Sequence, residues 1–310
     1  MENTFWLKRP DNVAIYVRKW LPENIQDSKP KAVVQIAHGM VEHIGRYNEF
    51  AHFLTDNNII VYGNDHRGHG RTGAKQGQLG YLADKNGFEK VTDDVLALTK
   101  QIKQEHPDLP VYLLGHSMGS FLARHYIQDH SYLIDGVILS GTGYYSRLST
   151  TTAMSIASVL PSKEKSPFMN ALVFSSSNKR VQNKKSSFDW LTSDDQIIQD
   201  FINDPYCGFI PSAGFFKDLM TGLSLIHDAK RNQKVRSDLP MLILSGAQDP
   251  VGNYTKGVWK TAALYDKAGL SNVITMLFEN GRHELLNELN RDEIYHILLN
   301  WITGLTSRNA

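Results

Sequence analysis

Short apolar runs alternate with longer amphipathic stretches along nearly the whole chain, and this rhythm restricts the fold more than any other feature. Val13–Trp20, Lys31–Ala37, Ile59–Tyr62, Val111–Leu114, Gly136–Leu139, Met241–Leu244 and Val273–Phe278 are strand-length and bounded by Gly, Pro, Asn or Asp. Most are apolar at consecutive positions, so they read as strands buried on both faces, as parallel sheets require. Between them Arg46–Asn57, Phe88–Glu105, Ser117–His130, Tyr254–Ala268 and Arg291–Leu305 read as helices. In Phe88–Glu105, Val91, Val95, Leu98 and Ile102 recur at four, three and four residues, which is one helix face. The alternation predicts an α/β protein with a mostly parallel central sheet flanked by helices.

The rhythm breaks once. About 100 residues separate the strand ending near Ser140 from the one starting near Met241, whereas a parallel crossover needs only about a dozen. This insert is rich in Ser, Lys and Asn, yet it holds apolar clusters at Met154–Leu160, Phe168–Phe174, Phe209–Ile210 and Phe215–Ile226. Disordered linkers lack such clusters. The segment therefore reads as a mainly helical cap over one end of the sheet, with an ordinary second domain as the alternative. The expected organisation is a core of residues 1–143 and 237–310 with a cap of residues 144–236.

Composition narrows the function classes. Lys and Arg number 33 and Asp and Glu 32, a formal charge of +1, which lacks the basic excess of a dedicated nucleic-acid binder. Cys207 is the only cysteine, so no intramolecular disulfide can form. The start MENTFWLKRPDNV has neither a basic nor an apolar leader region, and no run reaches the ~18–20 apolar residues of a spanning helix. A cytoplasmic location is the default expectation, with transient contact with lipid aggregates or a membrane surface left open.

Gly115-His116-Ser117-Met118-Gly119 follows a strand and opens a helix. In that context G-x-S-x-G is a sharp turn that thrusts a serine oxygen out at the carboxyl end of the sheet. A serine is a weak nucleophile at neutral pH, so it needs a base within reach and a group to orient that base. Ser245-Gly246-Ala247-Gln248-Asp249-Pro250-Val251 places a carboxylate just past a strand end, and Gly281-Arg282-His283-Glu284 places an imidazole just past the next. The candidate catalytic residues are Ser117, Asp249 and His283. Asp228 and Asp238 are rival acids, but neither follows an apolar strand. Two backbone N–H groups must also receive a developing oxyanion. Met118 and the Met40 turn after Lys31–Ala37 are placed to supply them, although both side chains could equally be plain pocket lining.

With these motifs in view, the chain resembles the α/β-hydrolases of the monoacylglycerol lipase and bacterial lysophospholipase group. The resemblance rests on His38-Gly39-Met40-Val41-Glu42-His43-Ile44-Gly45-Arg46-Tyr47, on Asp65-His66-Arg67-Gly68-His69-Gly70, and on the three stretches that carry the candidate triad. It covers nearly the whole chain, the insert matching least. It implies a cofactor-free serine esterase acting on a small-molecule acyl ester, a fatty acid joined to a small polar alcohol, under an inserted cap. It also implies that Glu42, Arg46 and His116 surround the head group; a salt bridge pinning the loop is the alternative for Glu42 and Arg46.

Other readings compete. A small-ester carboxylesterase or an aminopeptidase-like hydrolase could use the same triad, the latter with Glu42, Asp194 or Asp195 anchoring a free amine. A non-catalytic ligand-binding protein is the alternative from another class. Gly68-His69-Gly70-Arg71-Thr72-Gly73 spells G-x-G-x-x-G, but the continuation Ala-Lys-Gln-Gly-Gln-Leu-Gly reads as loop, not as the helix a dinucleotide site needs. Asp65, His66 and His69 have metal-capable side chains but no accompanying ligand motif, so they are expected to brace the loop, with no metal or cofactor.

Overall fold

A computed structural model describes residues 1–23 and 29–309. Its strands are β1 (Glu2–Lys8), β2 (Ala14–Trp20), β3 (Ala32–Ala37), β4 (Ile59–Asn64), β5 (Val111–His116), β6 (Gly136–Ser140), β7 (Met241–Gly246) and β8 (Val273–Phe278). They form one sheet in the order β1-β2-β4-β3-β5-β6-β7-β8. The β1–β2 and β2–β4 pairs are antiparallel and all the others parallel.

Helices cover both faces. Successive strand residues point to opposite sides, so Val33 joins one core and Val34 the other. The first core meets α3 (Gly87–Glu105) through Val95, Leu98 and Ile102, α4 (Met118–His130) through Ala123, Tyr126 and Ile127, and α10 (Lys256–Lys267) through Val258 and Tyr265. The second meets α1 (Asn48–Asp56) through Phe50, Ala51 and Leu54, and α11 (Arg291–Asn309) through Ile294, Leu298 and Ile302.

The insert is mainly helical, with α5 (Arg147–Ser158), α6 (Pro167–Phe174), α7 (Asp195–Asn203), α8 (Ala213–Ile226) and α9 (Ala229–Asn232). On α8, Phe215, Phe216, Leu219 and Leu223 pack against Phe88 and Val91 of α3 and Met118, Phe121 and Leu122 at the start of α4. Hydroxyl or carboxylate caps start these helices: Ser146 for α5, Ser166 for α6, Asp194 for α7, Ser212 for α8 and Asp228 for α9.

Several expectations need correction. β3 to β7 are buried throughout, but β8 alternates half-buried with exposed positions because it is the sheet's edge. β1 was not expected, and the Phe209–Ile210 cluster is not helical. The stretch after Gly68 is not all loop: a six-residue helix, α2 (Gly70–Lys75), starts inside the G-x-G-x-x-G. The carboxylate of Asp65 accepts from Arg71 N at 2.7 Å and from Ile44 N at 2.9 Å, so a protein anion already occupies that turn.

The β1–β2 turn is pinned to α3 by buried charge. Asp94, fully buried, accepts from Arg9 Nε at 2.8 Å and from Arg67 Nε at 2.6 Å, while Arg67 also forks onto Asp11 at 2.6 and 3.1 Å. Removing one partner leaves the other charge buried and undercompensated. Asp94→Asn is expected to cost about 3 kcal/mol of stability, read as a lower urea midpoint. An unchanged midpoint would show that the network contributes nothing net.

Candidate active site

The turn between β5 and α4 is held in an unusual conformation. Ser117 has φ 52° and ψ −118°, a region that L-residues with side chains seldom occupy. Its N–H donates to Ser140 O at 2.9 Å. The flanking glycines are needed because backbone runs past them. A Cβ on Gly115 would lie 2.3 Å from Gly119 O, and one on Gly119 would lie 1.9 Å from Ala37 O.

His283 and Asp249 meet beside this turn. His283 Nδ1 lies 3.0 Å from Asp249 Oδ2, with both side chains almost fully buried. Asp249 is fixed in turn, since its Oδ1 accepts from Val251 N at 2.8 Å. The imidazole is packed between Trp190 and His116, with ring centroids at 4.9 and 4.8 Å. Burial alone lowers the pKa of His283, but the charge of Asp249, supported by Glu284 and Glu42, outweighs it and raises the pKa above the ordinary 6.5. The rival acids are occupied elsewhere: Asp228 caps α9, and Asp238 is exposed and pairs with Arg236 at 2.8 Å.

The loop after β3 approaches Ser117 from the other side. A Cβ on Gly39 would lie 2.7 Å from Glu42 Oε1 and 3.3 Å from Ser117 Cβ, so a side chain there would crowd both. Gly39 N donates to Glu42 Oε1 at 2.5 Å, and Val41 O accepts from Gly208 N at 2.9 Å. Met118 opens α4, so its N–H is among those a helix cannot satisfy internally. Beneath the loop, His66 N donates to His38 Nε2 at 3.0 Å, and His38 Nδ1 therefore donates to Gly39 O at 2.7 Å. His66 Nε2 donates to His38 O at 3.1 Å, and His69 Nδ1 donates to Arg67 O at 2.8 Å. Burial holds all three imidazoles neutral, lowering His66 to about 3, His69 to about 4 and His38 well below its ordinary value.

Of the expected head-group residues, Glu42 and His116 line the cavity described below and Arg46 does not. Arg46 donates to Glu42 Oε2 at 2.7 Å and grips Glu284 with two bonds of 2.7 Å. Its guanidinium is consumed by two carboxylates, which is the pinning arrangement. Tyr47 OH adds a 2.9 Å bond to Glu42. Glu284, not singled out from the sequence, lines the cavity and is held down to about 2; burial opposes this, but the adjacent Arg46 prevails. The only sequence signal for it was its place next to His283. Burial, followed by the nearby His283, lowers His116 to about 4.

A cavity of about 820 Å³ joins these parts, within the ~300–1,000 Å³ range of small-molecule sites. Gly39, Met40, Ser117, Met118 and His283 line it together, and apolar side chains including Ile156, Val173, Phe174, Trp190, Phe209 and Leu223 come from the insert. Asp194 and Asp195 do not line it: Asp194 caps α7 and pairs with Arg291 at 3.2 Å, and Asp195 pairs with Lys185. Among the described residues, His43, Asp204 and Cys207 bring ligand-type atoms within 4.8 Å of one another. His43 Nδ1 accepts from Gly45 N at 3.1 Å, so Nε2 carries a proton and donates it to Asp204 at 2.8 Å. No lone pair on that nitrogen faces a metal, and the trio braces the 43–47 turn against the end of α7.

Comparison with known proteins places this geometry. A family model described as "Serine aminopeptidase, S33" matches residues 28–290. The chain is 26% identical to a monoglyceride lipase of Mus musculus over 307 residues, covering 96% of this chain and 89% of that protein. It is 25% identical to phospholipase YtpA of Bacillus subtilis over 269 residues, covering 86% and 93%. A thermostable carboxyl esterase from Bacillus coagulans, solved in complex with glycerol, superposes with a TM-score of 0.90 at 27% identity, covering 98% and 99%. An α/β sheet, a serine at a strained strand–helix turn and a match over most of the chain agree: the protein belongs to the serine aminopeptidase S33 family of α/β-hydrolases and is a serine hydrolase of the lipase and esterase group.

Proposed function

We propose that the protein hydrolyses esters of fatty acids with a small polar alcohol, a monoacylglycerol or a lysophospholipid, through an acyl-enzyme on Ser117. The observation that carries this reading is the single cavity in which Ser117 and His283 share a wall with apolar side chains of the insert. Residues 1–143 and 237–310 act as the catalytic core and residues 144–236 as a cap that shelters the acyl chain. The names of the mouse and Bacillus subtilis relatives support the lipid class, and the glycerol complex supports a small polyol as the alcohol.

Ser117 Oγ attacks the ester carbonyl as His283 Nε2 takes its proton, and Asp249 at Nδ1 holds the tautomer and stabilises the imidazolium. The carbonyl oxygen gains charge beside the N–H groups of Met40 and Met118. Collapse breaks the bond to the alcohol, which leaves with the proton from His283. Water then gives His283 a proton and attacks the acyl carbon, and Ser117 Oγ recovers that proton as the fatty acid departs. Glu42 and neutral His116 face the alcohol, and Arg46 acts through its two carboxylates rather than on substrate.

The same carboxylates argue against the aminopeptidase-like alternative. Glu42 and Glu284 line the cavity, but both are committed to Arg46, so a substrate ammonium would have to displace a buried guanidinium. Acyl esters should therefore be turned over far better than aminoacyl nitroanilides; the reverse preference would reassign the substrate class.

Ser117→Ala should lower kcat on a chromogenic acyl ester by about 10⁶-fold and Asp249→Asn by about 10⁴-fold; wild-type turnover by Ser117→Ala would remove the acyl-enzyme. His283 works as a base only when neutral, and its pKa is raised, so the acid limb of kcat/KM should lie above 6.5. In Asp249→Asn that limb should move to lower pH. Each added acyl methylene buried in the cavity contributes about 0.8 kcal/mol, so kcat/KM should rise up to about fourfold per methylene until the space is filled. A steady fall from acetate onward would instead identify a small-ester carboxylesterase.

A further inference from the structure

We propose that Val41 is a positioning residue for the oxyanion site, held in a left-handed backbone conformation by the cap so that the Met40 N–H stays aimed at the carbonyl oxygen beside Ser117. This deepens the ester-hydrolase reading, on whose assignment of the Met40 N–H it rests. Val41 has φ 54°. For a β-branched residue that is a true outlier, because two methyl groups on Cβ crowd the backbone there. Five of the nine non-glycine residues with positive φ among the described residues are asparagines, which tolerate it. Of the nine, only Ser117 and Val41 line the cavity. A conformation of this kind persists only where the surroundings impose it.

The cap supplies the restraint. Val41 O accepts from Gly208 N at 2.9 Å, and the Val41 side chain packs against the cluster that includes Trp190, Phe201 and Cys207. Gly208 is itself left-handed at φ 63°, and a Cβ on it would lie 3.1 Å from Phe188 and 3.2 Å from Phe201, so the cap backbone runs tight against its own aromatic rings. Asp204 ties the same stretch to the loop a second time. Its Oδ2 accepts from His43 Nε2 at 2.8 Å while its Oδ1 accepts from Tyr206 N at 2.8 Å. Residues 204–208 thus grip the loop on both sides of Glu42.

The torsion φ turns about the bond from Val41 N to its Cα, so relaxation to negative φ rotates the chain that precedes Val41 against the chain that follows it. Glu42 cannot follow, being fixed by Arg46 and Tyr47, and Gly39 N is bonded to Glu42. The peptides between Gly39 and Glu42 would have to absorb the change, and the first of them carries the Met40 N–H. A donor for a developing oxyanion is effective only when it is already in place before the charge forms.

The test is a double-substitution cycle on the full chain, read with a chromogenic acyl ester and with a trifluoromethyl ketone of the same acyl chain. Ser117 Oγ adds to the ketone carbon as its proton passes to His283, leaving an oxyanion where the ester's would form. Asp204→Ala frees residues 204–208 from the loop and should lower kcat and ketone affinity by about tenfold with KM little changed, less than the loss of an oxyanion donor outright. Val41→Gly adopts the left-handed backbone without strain, so in the Val41→Gly chain Asp204→Ala should change either value by less than about twofold. His43→Phe breaks the same tie but leaves the Asp204–Tyr206 bond in place, and it should repeat both the loss and the rescue even where Asp204→Ala folds poorly. A merely structural role predicts equal losses with and without Val41→Gly. Equal losses, or wild-type values in Asp204→Ala and His43→Phe, overturn the proposal, and a loss that Val41→Gly removes supports it. A wild-type chain that hydrolyses no ester and forms no ketone adduct would instead overturn the ester-hydrolase reading, before any substitution is made.

Discussion

The backbone at Ser117 is the constraint on which the rest of the site depends. A φ of 52° with ψ of −118° does not persist unless the surroundings impose it. Here three elements do so: β6 accepts the Ser117 N–H, β5 carries at its penultimate position a glycine, Gly115, that clears Gly119 O, and Gly119 lets α4 come down on the last carbonyl of β3. One close approach thus sets the start of α4, the exposure of the serine and the distance to the loop that carries Met40. Parallel strands supply the frame, since β3, β5, β6, β7 and β8 all deliver their following loops to the same end of the sheet.

Electrostatics join those loops. Arg46 spans Glu42, which fixes Gly39 N, and Glu284, the neighbour of His283. The loop facing the serine and the loop carrying the imidazole are therefore tied through one buried guanidinium with good geometry on each carboxylate, the condition under which a buried ion pair holds structure. The same carboxylates add negative potential at His283, so the network both ties down its loop and helps raise the pKa of its imidazole.

Strands buried on both faces were readable as apolar runs, and with them the strand ends where Ser117, Asp249 and His283 stand. The elements that escaped are those whose partners are remote in sequence. β1 begins Glu2-Asn3-Thr4, too polar to signal a strand, and exists by pairing with β2 at the sheet's edge. α2 is one short turn with two glycines, nucleated by Asp65 rather than by its own propensity. α7 was missed because Asp195–Asn203 is mostly polar and buries only Ile198 and Phe201. Arg46 and Glu42 were legible as a neighbouring pair, but the third member, Glu284, is 238 positions from Arg46 and no local pattern joins them. Trp190, packed against His283, lies in the insert, where the sequence showed apolar clusters but not their targets.

The buried histidines have a consequence for the molecule's range of conditions. His38, His66, His69, His116, His125 and His227 are all held neutral by burial, the last two lowered to about 4 and about 3. An unfolded chain would protonate each near its ordinary 6.5. Below that pH the unfolded state binds more protons than the folded one, and stability falls as acid is added, down toward the lowered folded values. His106 and His130, half-buried, are lowered in the same direction; His283 acts in the opposite sense, but it is one imidazole against eight. The same rings whose hydrogen bonds shape the loop beside the serine therefore make unfolding a proton-consuming reaction. The share of acid sensitivity that these imidazoles contribute begins near pH 6.5, where an unfolded chain takes up protons that the folded one refuses.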